Sequence, residues 1–191
     1  MILSAFRRND SADNIQGLYG AIVAQARSPI FYLQYEVSDS VEGRFELIVL
    51  HLLLVLRRLD AEEAAASSRR SAPSPSSAVG QLLFDVFCRD LDDNLREMGV
   101  GDLAVPRRMR QFGEAFYGRQ AAYGAALGAA DLQELEKALA RNILGEVAGG
   151  KKAVALARYV RAAAAQLATQ PEDALIAGRV VFPSPESFVH A

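Results

Sequence analysis

Apolar residues recur at helical intervals along most of the chain and period-two alternation is hard to find, so the pattern predicts helices and no sheet. From Asp13, the residues Ile15, Leu18, Tyr19, Ile22 and Ala26 keep to one helical face until Ser28-Pro29, where Pro29 can open a short second helix through Tyr35. Asp39 and Glu42 have capping-box spacing ahead of a long helix. In that helix Phe45, Ile48, Val49, Leu52, Leu56 and Leu59 follow one face, and Leu47, Leu50, Leu53 and Leu54 fill the others. A helix that is apolar nearly all round is normally enclosed by its neighbours, so residues 41–60 are expected to form a central pillar.

Between residues 64 and 78 the composition shifts to Ser, Pro, Ala and Arg, and Ser71-Ala72-Pro73-Ser74-Pro75-Ser76-Ser77 reads as a mobile internal loop. A helix from Val79 to Met98 is then expected to bury Leu83, Phe84, Phe87, Leu91, Leu95 and Met98, with Gly99 as its terminator. Pro106 opens the next, through Met109, Phe112, Phe116, Tyr123 and Leu127, thinned by Gly113, Gly118 and Gly124 so that another helix can approach closely. Asp131 and Glu134 repeat the capping-box spacing before Leu135, Leu139 and Ile143, and Gly145 ends that helix. An Ala-rich helix from Lys151 to Gln170 stops at Pro171. The expected fold is all-α, one bundle of about six to eight helices. Residues 1–12 are expected as an N-terminal tail, 13–177 as the helical domain with its loop at 64–78, and 178–191 as an extended C-terminal tail that packs on the bundle or on a partner.

Composition narrows the classes. With 191 residues, 51% of them hydrophobic, the chain can bury a core without staples. Its single cysteine, Cys88, excludes an internal disulfide and four-cysteine zinc modules. The 21 basic and 23 acidic residues leave a net charge of −2, which argues against coating of nucleic acid by bulk charge, and DNA is not an expected partner. The longest apolar run, Leu47 to Leu56, is half the roughly 20 residues that a membrane span needs. Residues 1–8 place Arg7-Arg8 after a very short apolar stretch, the reverse of a secretory signal, so a cytoplasmic location is expected, with residues 1–8 as an amphipathic toe on a membrane as the alternative.

Groups able to carry chemistry are few. His190 is penultimate, which leaves His51 inside the pillar, on one helical stripe with Arg44 and Arg58. That stripe is either a cationic face for a carboxylate or a haem propionate, or a core histidine bonded to a facing side chain with arginines at either end. Cys88 lies beside Arg89 but also beside Phe87, and reads more simply as a small buried residue. Asp90, Asp93 and Glu97 share a helix face as in Mg²⁺-diphosphate enzymes of isoprenoid chemistry. The second acidic helix of such sites is missing, and Asp85 with Arg89 and Asp92 with Arg96 are spaced as surface pairs. Arg107, Arg108 and Arg110 stand in the first turns after Pro106, where cations oppose the helix dipole. Either Asp93 and Glu97 offset them from the preceding helix, or an external anion does. Tyr117 and Arg119 are of the residue types enriched at binding hot spots. Phosphate loops, catalytic triads, zinc spacings and dinucleotide fingerprints are absent, and no cofactor or metal is expected.

Three blocks carry a family resemblance. Val41-Glu42-Gly43-Arg44-Phe45-Glu46-Leu47-Ile48-Val49-Leu50-His51-Leu52, running on to Leu56-Arg57-Arg58-Leu59, is the first. Phe84-Asp85, Asp92-Asp93-Asn94-Leu95-Arg96-Glu97-Met98-Gly99-Val100-Gly101-Asp102 and Val105-Pro106 make the second, and Phe116-Tyr117-Gly118-Arg119 the third. In order and spacing they resemble the ubiquinol-cytochrome c chaperone family. The resemblance implies a non-catalytic, all-helical assembly factor for the cytochrome bc1 complex that binds newly made cytochrome b. It also implies mitochondrial relatives that act with a small helical partner at the ribosome exit. Without their long targeting region this chain fits a bacterial form working at the inner-membrane surface. The family supplies no catalytic residue. The candidate partner contacts, Arg44, His51, Arg58, Arg107, Arg108, Arg110, Tyr117 and Arg119, come from the residues' own physics. The alternative functions are a helical module for RNA, the ribosome or a membrane surface, and an isoprenoid-type enzyme.

Overall fold

Helix α3 (Val41–Ser67) stands at the centre of a wholly helical arrangement, and Leu47, Val49, Leu50, Leu52, Val55 and Leu59 on it are fully buried on several sides at once. The structure, a computed structural model, describes residues 2–67, 74–145 and 150–189. Around α3 pack α1 (Ile2–Ala26), α4 (Pro75–Glu97), α5 (Val105–Gly128) and α7 (Lys151–Thr169), with α2 (Pro29–Leu33) at the corner between α1 and α3. Helix α6 (Gln133–Leu139) packs on α5 and α7, and runs into a π turn, Ala140–Leu144, closed by Gly145 in the left-handed conformation. Short α8 (Glu172–Ile176) and a 3-10 turn, Pro185–Phe188, complete the order. None of the described helices is long and apolar enough to cross a membrane.

Local signals explain most boundaries, with instructive shifts. Residues 2–12, expected as part of a tail, are helical, because no Gly or Pro interrupts the chain before Gly17. The cap of α3 is Ser40, whose Oγ accepts from the Gly43 amide at 3.1 Å, while Asp39 turns instead to Arg44 Nε at 2.7 Å. Gly43 is required there, since a Cβ would overlap the Ser38 carbonyl oxygen. The expected loop at 64–78 is shortened from both sides. Helix α3 continues to Ser67, and Ser74-Pro75 is a helix start in which Ser74 Oγ accepts from the Ser77 amide at 3.2 Å and Pro75 takes the first helical position. The intervening residues 68–73 lie outside the described residues, as does His190. Helix α4 closes in a Schellman motif, with Gly99 at φ 81° and amide bonds from Gly99 to Arg96 and from Val100 to Leu95, and Met98, expected in the core, stands at this cap and is exposed. Of the second expected capping box only half forms: Asp131 Oδ1 accepts from the Gln133 amide at 3.0 Å, and Glu134 pairs with Lys137.

The C-terminal segment folds back on the bundle. Gly178, at φ 76°, passes so close to the Asn14 backbone that no side chain fits. Beyond it Gln170 brackets Val181 with two hydrogen bonds of 2.8 and 2.9 Å, and Tyr35 donates its hydroxyl to the Pro185 carbonyl at 2.6 Å. Phe182 sets its edge on His51 and Phe188 on Tyr159, at centroid distances of 5.2 and 6.0 Å.

Candidate functional site

The arginine-histidine stripe does not form a surface. His51 is fully buried. Its Nδ1 lies 2.7 Å from the Leu47 carbonyl, which can only accept, so Nδ1 carries the proton. Nε2, 2.7 Å from the Tyr159 hydroxyl, then accepts from Tyr159, and Tyr159 in turn accepts from Gln25 Nε2 at 2.9 Å. Burial outweighs the Leu47 carbonyl and lowers the His51 pKa to about 4, so the ring is neutral at physiological pH. Arg58 donates to the carbonyls of Leu167 and Gln170, both at 3.0 Å, and so caps the C-terminal end of α7. Arg44 is exposed and bonded to Asp39. Of the two readings of the stripe, the buried histidine with a facing side chain is the arrangement seen, since α7 and the C-terminal segment cover the face that a carboxylate or propionate would need.

Arg119 is also drawn inward. Its guanidinium makes a two-pronged pair with Glu46 across α5 and α3, and both side chains are mostly buried. Burial raises the Glu46 carboxyl despite the opposing pull of Arg119. Replacing Arg119 by Ala is expected to cost about 2 kcal/mol, because Glu46 is left without its partner, and Glu46→Gln in the same chain should recover part of the loss. Urea unfolding of the single and double variants measures this.

Arg107, Arg108 and Arg110, by contrast, are exposed and form no ion pair with Asp93 or Glu97 among the described residues, so the expected internal offset is not made. Tyr117 is 62% exposed, with its ring set edge-on against Phe116. Of the remaining candidates, the Cys88 thiol is half-buried, and burial and Asp85 push its pKa up, away from a reactive thiolate. Asp85 takes a bond from Gln81 in place of Arg89, Asp90 accepts from Tyr19 at 2.8 Å, and Asp92 pairs with Arg96 as its spacing suggests. Among the described residues no three His, Cys, Asp or Glu side chains come together as a metal site.

The feature that sequence reasoning missed is a cleft of about 170 Å³ between α3 and α5. Leu50, Leu53, Leu54, Tyr123 and Leu127 make its apolar walls, and Arg57, Asp60 and Gln120 stand at its mouth. The partly desolvated Asp60 carboxyl is raised. Gly124 lines it too, and a Cβ added to Gly124 would meet nothing. Gly118, Ala121, Gly124, Ala125 and Gly128 leave the outer face of α5 without bulk and exposed. Behind the other end of α5, Phe45, Phe84, Phe87, Phe112 and Phe116 pack ring on ring, which fixes α5 to α3 and α4 there. The sequence carried a trace of the cleft in the glycines at 118 and 124, together with a pillar that has apolar residues to spare.

Comparison with known proteins places this architecture. The family described as ubiquinol-cytochrome C chaperone matches residues 33–182. The crystal structure of the Cbp3 homolog from Brucella abortus is similar over 98% of this chain and 99% of that one, at 36% identity and a TM-score of 0.83. A search of curated protein sequences returned no match. The chain belongs to the ubiquinol-cytochrome c chaperone family.

Proposed function

We propose that this protein is a non-catalytic assembly chaperone of the cytochrome bc1 complex that holds newly made cytochrome b, with the α3–α5 cleft as the holding site. The observation that carries the reading is the family match across residues 33–182. The cleft supports it physically. A client on its way into a membrane presents apolar helices, and their side chains need cover until they are inserted. The cleft has room for about one large apolar side chain, and the small-residue face beside it lets a client helix approach closely. A shallow, mostly apolar contact of this size is reversible, which a holding factor requires.

A tagged copy should co-purify cytochrome b from cells making the complex, and a deletion strain should lack assembled complex and its b-type haem signal. Gly124→Leu sharpens the test. It adds an apolar side chain at the rim of the cleft, where a Cβ meets nothing, while removing a glycine from a helix interior, which is worth about 1 kcal/mol of added helix stability. The expected result is a protein at least as stable as the parent that no longer retains cytochrome b. Undiminished retention by that variant would remove the cleft from the mechanism.

A further inference from the structure

The α3 wall of the cleft is a single helical stripe, Leu50, Leu53, Leu54, Arg57 and Asp60. Its character changes once along its length. The three leucines are buried, and the last two residues are an exposed guanidinium and an exposed carboxylate, one turn apart on the same face. Arg57 and Asp60 are spaced to pair with each other, yet neither makes an ion pair or a side-chain hydrogen bond among the described residues. Both keep their full bonding capacity at the place where the apolar pocket opens. Partial burial raises the Asp60 carboxyl, so a cation set beside it would offset that cost.

The pocket beneath them holds one side chain. Its volume is about 170 Å³, and an apolar cavity of about 150 Å³ takes a guest the size of benzene. On the α5 side, Gly124 leaves open space where a Cβ would stand, which gives the polar end of a guest room beside the rim. Together these demands describe one class of molecule. It carries a carboxylate for Arg57, an ammonium for Asp60 and a branched or aromatic apolar group for the pocket, with the two charges close together. A helix of a client offers no such pair of charges from its backbone, whose amides are neutral and already bonded within the helix.

We propose that the α3–α5 cleft binds a free apolar L-α-amino acid of about the size of leucine. Arg57 takes its carboxylate, Asp60 its ammonium, and Leu50, Leu53, Leu54 and Tyr123 surround its side chain. The rim is open to solvent, which screens both charges, so the affinity belongs in the millimolar range. Amino acid and client would share one site, and the amino acid would thereby regulate holding. That consequence rests on the reading of the cleft as the holding site, whereas the binding itself does not.

The test is titration of the purified full chain with L-leucine, followed by NMR, against leucinamide, N-acetyl-leucine and glycine, which lack the carboxylate, the ammonium and the side chain respectively. Leucine is expected to bind saturably, and each of the others about tenfold more weakly or worse, the worth of one charge-assisted bond or one buried side chain. Arg57→Gln should abolish the preference over leucinamide and keep that over N-acetyl-leucine, and Asp60→Asn should do the reverse. Both positions are exposed, so circular dichroism should be unchanged. No saturable binding at millimolar leucine, equal binding of the four probes, or preferences that neither substitution alters overturns the proposal. Addition of leucine to the chain holding cytochrome b then separates the two readings. Release supports both, while undiminished retention beside intact leucine binding upholds the amino-acid site and removes the cleft from client holding.

Discussion

A chain ending at Ala177 is expected to lose on the order of 5 kcal/mol of stability, a large share of the 5 to 15 kcal/mol typical of a folded domain. The removed segment carries half-buried Phe182 and Phe188 and buried Pro185, and it covers Tyr35, His51 and Tyr159, all fully buried in the intact chain. Two aromatic rings at partial burial account for about 3 kcal/mol, and re-exposure of the groups beneath them, with loss of the Tyr35 bond to Pro185, accounts for the rest. Thermal unfolding should shift down by about 10 to 20 °C. Phe182→Ala tests the same contact within the full chain and is expected to cost about 2 kcal/mol. A truncated chain with an unchanged urea midpoint would mean that the segment lies on the bundle without holding it.

That segment marks the boundary of what the sequence discloses. Its Val-Val-Phe-Pro character indicates an extended, packed stretch, but its acceptor for Tyr35 lies 150 residues away, and nothing local in either sequence points to the other. The same limit applies to the charged candidates. Helical spacing correctly puts Arg44, His51 and Arg58 on a stripe, yet the stripe becomes a surface or a core according to what faces it, and α7 faces it with Tyr159 and two carbonyls. Arg119 looked like a docking residue because its partner, Glu46, is on another helix. Periodicity was sufficient for α3, whose leucines leave no side for water, and for α4, where Gly99 supplied the left-handed terminator. Ser74-Pro75 shows a different failure. The same residues that enrich loops also cap helices, and only the Val79–Leu83 face that follows distinguishes the two roles. The cleft depends on the distance between two helices, a quantity that no single helix encodes.

His51 gives the protein a pH dependence of known sign. Its unfolded value is the ordinary 6.5 and its folded value about 4, so between those limits the unfolded chain binds a proton that the native chain refuses. Stability is therefore fully present above pH 6.5 and falls as the pH drops towards 4, by roughly 3 kcal/mol in all, since each tenfold difference in proton affinity between the two states is worth about 1.4 kcal/mol. The structural reason is the bonding pattern: a second ring proton on Nε2 would face the hydroxyl proton of Tyr159, and burial leaves no water to accept either. Glu46 and Asp60, whose carboxyls burial raises, pull the other way over part of this range. The decisive quantity is thus the difference between the parent and His51→Gln, whose side chain does not titrate. At pH 7 the variant should be the less stable, having lost a fully bonded core group. As the pH falls to 4 the gap should shrink by roughly 3 kcal/mol in urea unfolding free energies, because the penalty for charging the ring exists only in the parent. A gap that stays constant from pH 7 to 4 would mean that the ring takes up its proton without leaving the core, and that the Tyr159 hydroxyl and its neighbours can rearrange to accept it.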